Sequence, residues 1–232
     1  MKKIFSVLFL TVVSLISFSQ ARFGIKGGLN LANETISAEG NGYNGSVNGN
    51  TIPSFHIGGF AAIPIAENID FRPELLLSGK GSNFTTTDTD PLDPSFGNPT
   101  TAKFRPYYLD IPLNFVYKVP LKTGGTFFIG AGPQFGIGLF GKINLEDSSA
   151  DFFSKGIAKR FDFGINFIAG VDLKSGMTLS VNYDAGLANI ADNSEAQPGD
   201  PTAKLTNSLF SFSVGYLFGK ESKPHPHHKS EY

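Results

Sequence analysis

The 232 residues fit one domain, or one domain with tails, and 27 Gly, 23 Phe and 7 Tyr beside no Trp and no Cys point to a β-rich chain. Only 17% of residues are charged and the formal net charge is −1, which leaves neither a basic footprint for nucleic acid nor a long charged tail. Without cysteine there is no disulfide framework, thiolate metal site, cysteine nucleophile or acylated lipobox.

Residues 1–20 begin with Lys2 and Lys3, run apolar from Ile4 to Ile16, and reach the small residues Ser17 and Ser19 before Gln20. That is the pattern of a cleaved secretory signal, with cleavage after Ser19 or after Ala21. The apolar run is shorter than the roughly 20 residues of a spanning helix. The mature chain is therefore expected outside the cytoplasm, either soluble or as a membrane barrel.

From Ala21 onward the apolar period is two. Phe23, Ile25, Gly27, Leu29 and Leu31 alternate with Arg22, Gly24, Lys26, Gly28 and Asn30. In 161–173 the series Phe161, Phe163, Ile165, Phe167, Ala169, Val171 and Leu173 opposes Asp162, Gly164, Asn166, Ile168, Gly170 and Asp172. Met177 to Leu187 repeats the rule. Such segments are strands with one apolar face. Eight are expected, at 21–32, 53–64, 69–82, 104–118, 126–141, 159–173, 177–188 and 206–219. Each meets the roughly 9–11 residues that a tilted strand needs to cross a bilayer.

The connections alternate in length. Those at 33–52, 83–103, 142–158 and 189–205 are long and polar, whereas 65–68, 119–125 and 174–176 are short, two of them marked by Gly124-Gly125 and Ser175-Gly176. In an up-and-down barrel every second connection falls on one rim. Long loops on one rim and tight turns on the other are the habit of outer-membrane barrels, which close the sheet and leave no unpaired edge in hydrocarbon. The fold expected is an all-β, eight-stranded antiparallel transmembrane barrel over 21–219, followed by a disordered tail at 220–232. An even strand count puts both termini on the short-turn rim, which is the periplasmic one. A soluble β-sandwich also alternates, but gives no reason for loop lengths to do so.

Sidedness follows from cost, because Lys or Arg at the lipid midplane costs about 2–4 kcal/mol. Leu75, Ile111, Leu113, Phe135, Ile165, Phe167 and Val181 are therefore expected to face lipid, with Ile57, Phe71 and Phe115 among their companions. Lys26, Arg72, Glu74, Lys80, Asp110, Asp162 and Asp184 are expected to line the lumen, together with Asp70, Asp172 and the amides of Asn114, Gln134, Asn166 and Asn182. An eight-strand barrel is just wide enough for side chains to fill, so the interior is expected to be a packed ion-pair network without an open channel. Tyr107, Tyr117, Phe127, Phe161 and Tyr216 lie near strand ends and suit aromatic girdles.

Four motifs in order then resemble the PorT-like outer-membrane β-barrel family of Bacteroidetes-type bacteria: Phe23 to Leu31, Phe71 to Ser78, Tyr108 to Leu113 and Phe128 to Pro133. The resemblance implies an eight-strand outer-membrane barrel; the founding member is associated with protein export, and most relatives have no assigned activity. The aromatic end of the last strand, with Tyr216 and Phe218, resembles the signal read by the outer-membrane insertion machinery. Such barrels often stop there, whereas this chain continues through Lys223 to His228.

The candidates for chemistry are few. Glu74 and Asp110 suit an acid and base pair, but neutralising Arg72, Lys26 and Lys80 is the simpler role. His56 faces inward near the long-loop rim with Ser54 beside it, and spacing places no acid to complete a triad. Asp88, Asp90 and Asp93 lack an EF-hand pattern, and His225, His227 and His228 suit adventitious metal at most. No cofactor or resident metal is expected. The expected role is a non-enzymatic barrel with a plugged lumen, a membrane scaffold or export-linked surface protein; the alternatives are a small membrane-embedded or lipid-modifying enzyme and a narrow solute pore. The expected partners are outer-membrane lipid, the insertion machinery and envelope or secretion-system proteins.

Overall fold

A strand whose side chains alternate apolar and polar must show one face to each environment, and here the alternation closes into a ring. The computed structural model describes residues 21–219 except 41–42, 88–98, 123, 146–147, 155–156 and 198–200. The signal segment, Asp88, Asp90 and Asp93, and the tail with its histidines lie outside the described residues. In chain order the strands are β1 (Arg22–Gly40), β2 (Tyr43–Asn48), β3 (Ile52–Ala66), β4 (Ile69–Gly79), β5 (Asn83–Thr87), β6 (Pro99–Pro120), β7 (Thr126–Asn144), β8 (Ser149–Asp151), β9 (Phe161–Asp172), β10 (Met177–Gly186) and β11 (Thr202–Leu217).

Eight of these form the barrel. β1, β3, β4, β6, β7, β9, β10 and β11 each pair antiparallel with the next, and β11 returns to β1 from Gly24↔Leu217 to Glu39↔Thr202. The closure leaves none of the eight as an edge along the shared wall. The short turns are tight: Gly124 and Gly176 take φ of 83° and 90°, and Leu173 N–H donates to Met177 O at 2.8 Å across the last of them. Those positions need glycine because other residues pay for the left-handed region.

Three of the expected long loops are more ordered than their polar composition suggests. β2 continues along β1, β5 along the start of β6, and β8 along the end of β7, so hairpins rise above the long-loop rim. Their sequences alternate small and polar residues with little apolar contrast, which hides a strand from a hydrophobic-period reading. What holds them is the ladder inherited from the longer strand beside them. Hydroxyl and amide pairs also help, such as Thr35 to Asn48 at 2.8 Å and Thr85 to Thr101 at 3.0 Å.

The wall is apolar outward. Leu75, Phe115, Ile129, Phe167, Val181 and Val214 stand exposed, and Ile111, Leu113 and Phe135 lie half-buried between neighbours on the same face, while Ile165 is exposed. Inward positions carry the buried charges. The lumen is not wholly polar, however. Val116, Phe128 and Ile168 form one buried apolar cluster, and Phe60, Ala62 and Leu217 form another near the short-turn rim. The expectation of an interior made only of ion pairs is corrected accordingly: apolar clusters alternate with charged layers, because inward positions unmatched by a counter-charge are cheaper to fill with hydrocarbon.

Candidate functional site

The lumen brings together side chains that are far apart in the chain, layer by layer. Nearest the short-turn rim, Arg72 of β4 pairs with Asp172 of β9 and lies 3.6 Å from Asp70, while Lys118 reaches Asp70 at 2.7 Å. The Arg72 guanidinium also covers the Phe128 ring, 3.9 Å from its centroid. One layer up, Lys26 of β1 pairs with Glu74 of β4. Further up, Lys80 holds Asp110 at 2.9 Å and Asp162 at 3.1 Å, and Asn207 donates to Asp162 at 2.8 Å. Asp184 accepts from Asn166, and the Gln134 amide nitrogen faces the same carboxylate. Glu74 and Asp110 are thus each matched to an ammonium group instead of to one another.

Between these layers sits a hydrogen-bonded chain that spacing in the sequence did not reveal. His56 Nδ1 lies 2.6 Å from Asn30 Oδ1, and His56 Nε2 lies 2.9 Å from Ser213 Oγ. Asn30 Nδ2 donates to the carbonyls of Phe55 and Gly79 and to Ser78 Oγ, which fixes its oxygen toward the imidazole. His56 therefore donates from Nδ1, leaving a lone pair on Nε2 for the Ser213 hydroxyl. Ser213, His56 and Asn30 stand in the order of nucleophile, base and orienter. The serine comes from β11 and the asparagine from β1, not from Ser54 as proximity to His56 suggested. Only the register of the closing strands places them, through Gly28↔His56 and Gly28↔Ser213.

That chain has no room for a substrate. His56 is 3% exposed and Ser213 5%. The lumen cavities beside His56 and beside Lys80 each measure about 10 Å³, the space of roughly one water. A hydrolase would need a cleft of several hundred Å³ at the nucleophile. Among the described residues no group of three or more acidic or imidazole side chains is set to hold a metal ion.

The long-loop mouth is closed by hydrocarbon. Phe152 and Phe153, after β8, fold inward onto Tyr108, Ile143, Ile190 and Leu205 in a buried cluster. Their rings meet edge to face, Tyr108 with Phe153 at 5.5 Å and Phe104 with Phe152 at 5.9 Å between centroids. Gly138 makes the seat for Phe153, because a Cβ there would lie 2.3 Å from the ring. Arg160 lies 4.9 Å over the same ring and donates to the carbonyls of Gly138 and Leu139. On the outer wall just below that mouth, Phe55, Tyr107 and Phe140 form a chain of rings with centroids 5.9 and 5.0 Å apart. Tyr117, Phe161 and Tyr216 are exposed on the outer face near strand ends, and Tyr107 and Phe127 are half-buried there. Phe218 is exposed beside Tyr216, ring centroids 5.2 Å apart.

Comparison with known proteins places the chain in a family and finds similar solved structures. No curated protein matches the chain. Among solved structures it is similar to neisserial surface protein A, with 14% identity, TM-score 0.43, 84% of this chain covered and 97% of that one. It is also similar to the outer membrane protein OprG of Pseudomonas aeruginosa, with 13% identity, TM-score 0.43 and coverage of 85% and 96%. The outer membrane protease OmpT of Escherichia coli matches at 9% identity, TM-score 0.32 and coverage of 85% and 97%. The family model described as outer membrane protein beta-barrel domain matches residues 18–192, most of the chain, and the chain belongs to that family.

Proposed function

We propose that this protein is a non-enzymatic, PorT-like barrel that works as a membrane scaffold or as an export-linked surface protein. The observation that carries this reading is the filled lumen: paired charges, apolar clusters and an aromatic cap leave cavities of about 10 Å³. A barrel that neither conducts nor admits a substrate has its rims and outer wall left for interaction. The long-loop rim is the external one in this reading, the termini are periplasmic, and Tyr216 and Phe218 serve the insertion machinery. Its partners are lipid and envelope or secretion-system proteins.

The test is planar-bilayer recording on the refolded protein. Steady open-channel current would replace the scaffold with a narrow pore; only brief, irregular events are expected. The Ser213, His56 and Asn30 chain favours a second reading, a lumenal serine hydrolase. Labelling with a fluorophosphonate probe separates the two. Modification of Ser213 that vanishes in His56→Ala would establish the enzyme, and the scaffold reading expects the serine to stay unmodified.

A further inference from the structure

Above the long-loop rim β5, β6, β7 and β8 make a four-stranded flap with two different faces. The inner face is apolar, with Phe104, Ile143 and Phe152 packed into the cap. The outer face follows the register Tyr107↔Phe140, then Arg105↔Lys142↔Asp151, then Lys103↔Asn144↔Ser149. Each row stands two residues, about 7 Å, above the one before. The lowest row is the stacked Tyr107 and Phe140, an aromatic pair of the kind that sits at the lipid headgroup boundary. Arg105 and Lys142 are therefore carried at the height of headgroup phosphates, on the outside of the barrel.

Two further features single out this place. Arg105 and Lys142 are directly opposed across the strand pair, an arrangement that repels unless an anion joins it. Asp151, the acid flanking Lys142, already has Oδ1 engaged by the Phe153 N–H at 2.7 Å. The Arg105 guanidinium is fixed by Nη1 donating to Phe104 O at 2.8 Å and Ser82 O at 3.4 Å, and its Nε and Nη2 donors make no other hydrogen bond among the described residues. Glu34 attracts Arg105 from the lumen side without bonding to it. The rows enclose an outward groove of about 480 Å³ with Tyr107 and Phe140 at its base and Ser149 at its edge, a volume in the range of small-molecule sites.

We propose that this groove binds the phosphate-bearing headgroup of a lipid in the leaflet at the long-loop rim. The phosphate lies between Arg105 and Lys142, where the planar guanidinium offers paired donors and the ammonium a point charge. The acyl chains run down the apolar wall below Tyr107 and Phe140. A lipid suits the site better than a free anion, because the aromatic base of the groove is continuous with the apolar wall.

The experiment is titration of the folded, detergent-solubilised full chain with diphosphorylated lipid A, read by native mass spectrometry. Dephosphorylated lipid A and inorganic phosphate are the comparison probes, and heat-modifiable gel mobility checks folding. The proposal expects retention of the diphosphorylated form, at least about tenfold weaker retention of the dephosphorylated one, and about tenfold loss for each cation removed in Lys142→Gln and Arg105→Gln. Lys142 is exposed and holds no part of the rim, so Lys142→Gln carries the test if Arg105→Gln fails to fold. Exposed lysines of the opposite rim, changed in Lys122→Gln with Lys174→Gln, should leave retention as it was. Equal retention by Lys142→Gln and the unaltered chain would overturn the site, and so would indifference to the lipid's phosphates. Displacement of the lipid by equimolar inorganic phosphate would overturn the lipid as its occupant.

Discussion

Removing the Lys80 ammonium should be the most damaging single change in the lumen. Lys80 is 4% exposed and lies 2.9 Å from Asp110 and 3.1 Å from Asp162. At an effective dielectric near 20, each contact is worth on the order of 5 kcal/mol before desolvation is subtracted. Lys80→Met removes both contacts and strands two carboxylates near Asp184 and Glu34, a region already rich in acid. Breaking a buried pair by deleting one partner costs about 3–5 kcal/mol, and the upper end applies because two acids lose their partner together. Combining Lys80→Met with Asp110→Asn and Asp162→Asn removes the stranded charges, and most of the loss should return. With no tryptophan in the chain, urea unfolding in lipid vesicles is best followed by circular dichroism and heat-modifiable mobility. A Lys80→Met barrel within about 1 kcal/mol of the unaltered protein would refute the account of a charge-paired lumen. A triple variant no more stable than the single one would refute it as well.

The outer wall should respond to charge by depth. Phe167→Arg, at mid-strand, should lower folding stability in bilayers by about 2–4 kcal/mol, and Phe161→Arg, at the strand end, by about 0–1 kcal/mol. Gly28→Ala should impede closure, because the new Cβ would lie 1.8 Å from the Phe212 carbonyl oxygen; loss of the heat-modifiable band measures it, and a normal band would show that β1 and β11 can shift. Gly138→Leu should displace Phe153 from its seat and loosen the cap, seen as faster proteolysis near residue 153. His56→Ala should cost about 1–3 kcal/mol by taking the imidazole partner from the buried Ser213 hydroxyl and leaving Asn30 Oδ1 with Ser211 Oγ alone, measured by the same urea titration.

Sidedness was legible in the sequence because a strand's two faces are separated by residue parity alone. Phe167 and Asp162 differ by an odd number, so assigning one to the wall put the other in the lumen whatever the strand's neighbours. Partners were not legible. Arg72 and Asp172 are 100 residues apart, and only the closed ring carries β4 and β9 to facing positions across the interior. For the same reason His56 was matched with Ser54 on its own strand, while Ser213, 157 residues away, holds its Nε2. The extra hairpin strands were missed because Thr85, Thr86 and Thr87 have no apolar face to announce a period. Ile168 was the one large apolar residue at an inward position of its strand; it marks the cluster with Val116 and Phe128 that interrupts the charged layers.

A filled lumen raises the question of why its contents are ionic when hydrocarbon would fill the space at less cost. Each buried pair is at best a weak source of stability, but the set has a directional effect that an apolar filling lacks. Slipping a strand by one residue exchanges its two faces. For β4 that would move Asp70, Arg72 and Glu74 to the outer wall and turn Phe71 and Leu75 inward, at a cost for each cation that rises with its depth to about 2–4 kcal/mol at the bilayer midplane. A penalty of that kind recurs at Lys26 on β1, and a smaller one at Asp110 on β6 and Asp162 on β9. The charges therefore select the register in which the ring closes, and the register in turn sets Arg105 opposite Lys142 and seats Phe153 over Gly138. A lumen stripped of charge would still fill, but the bilayer would no longer discriminate between the two faces of each strand.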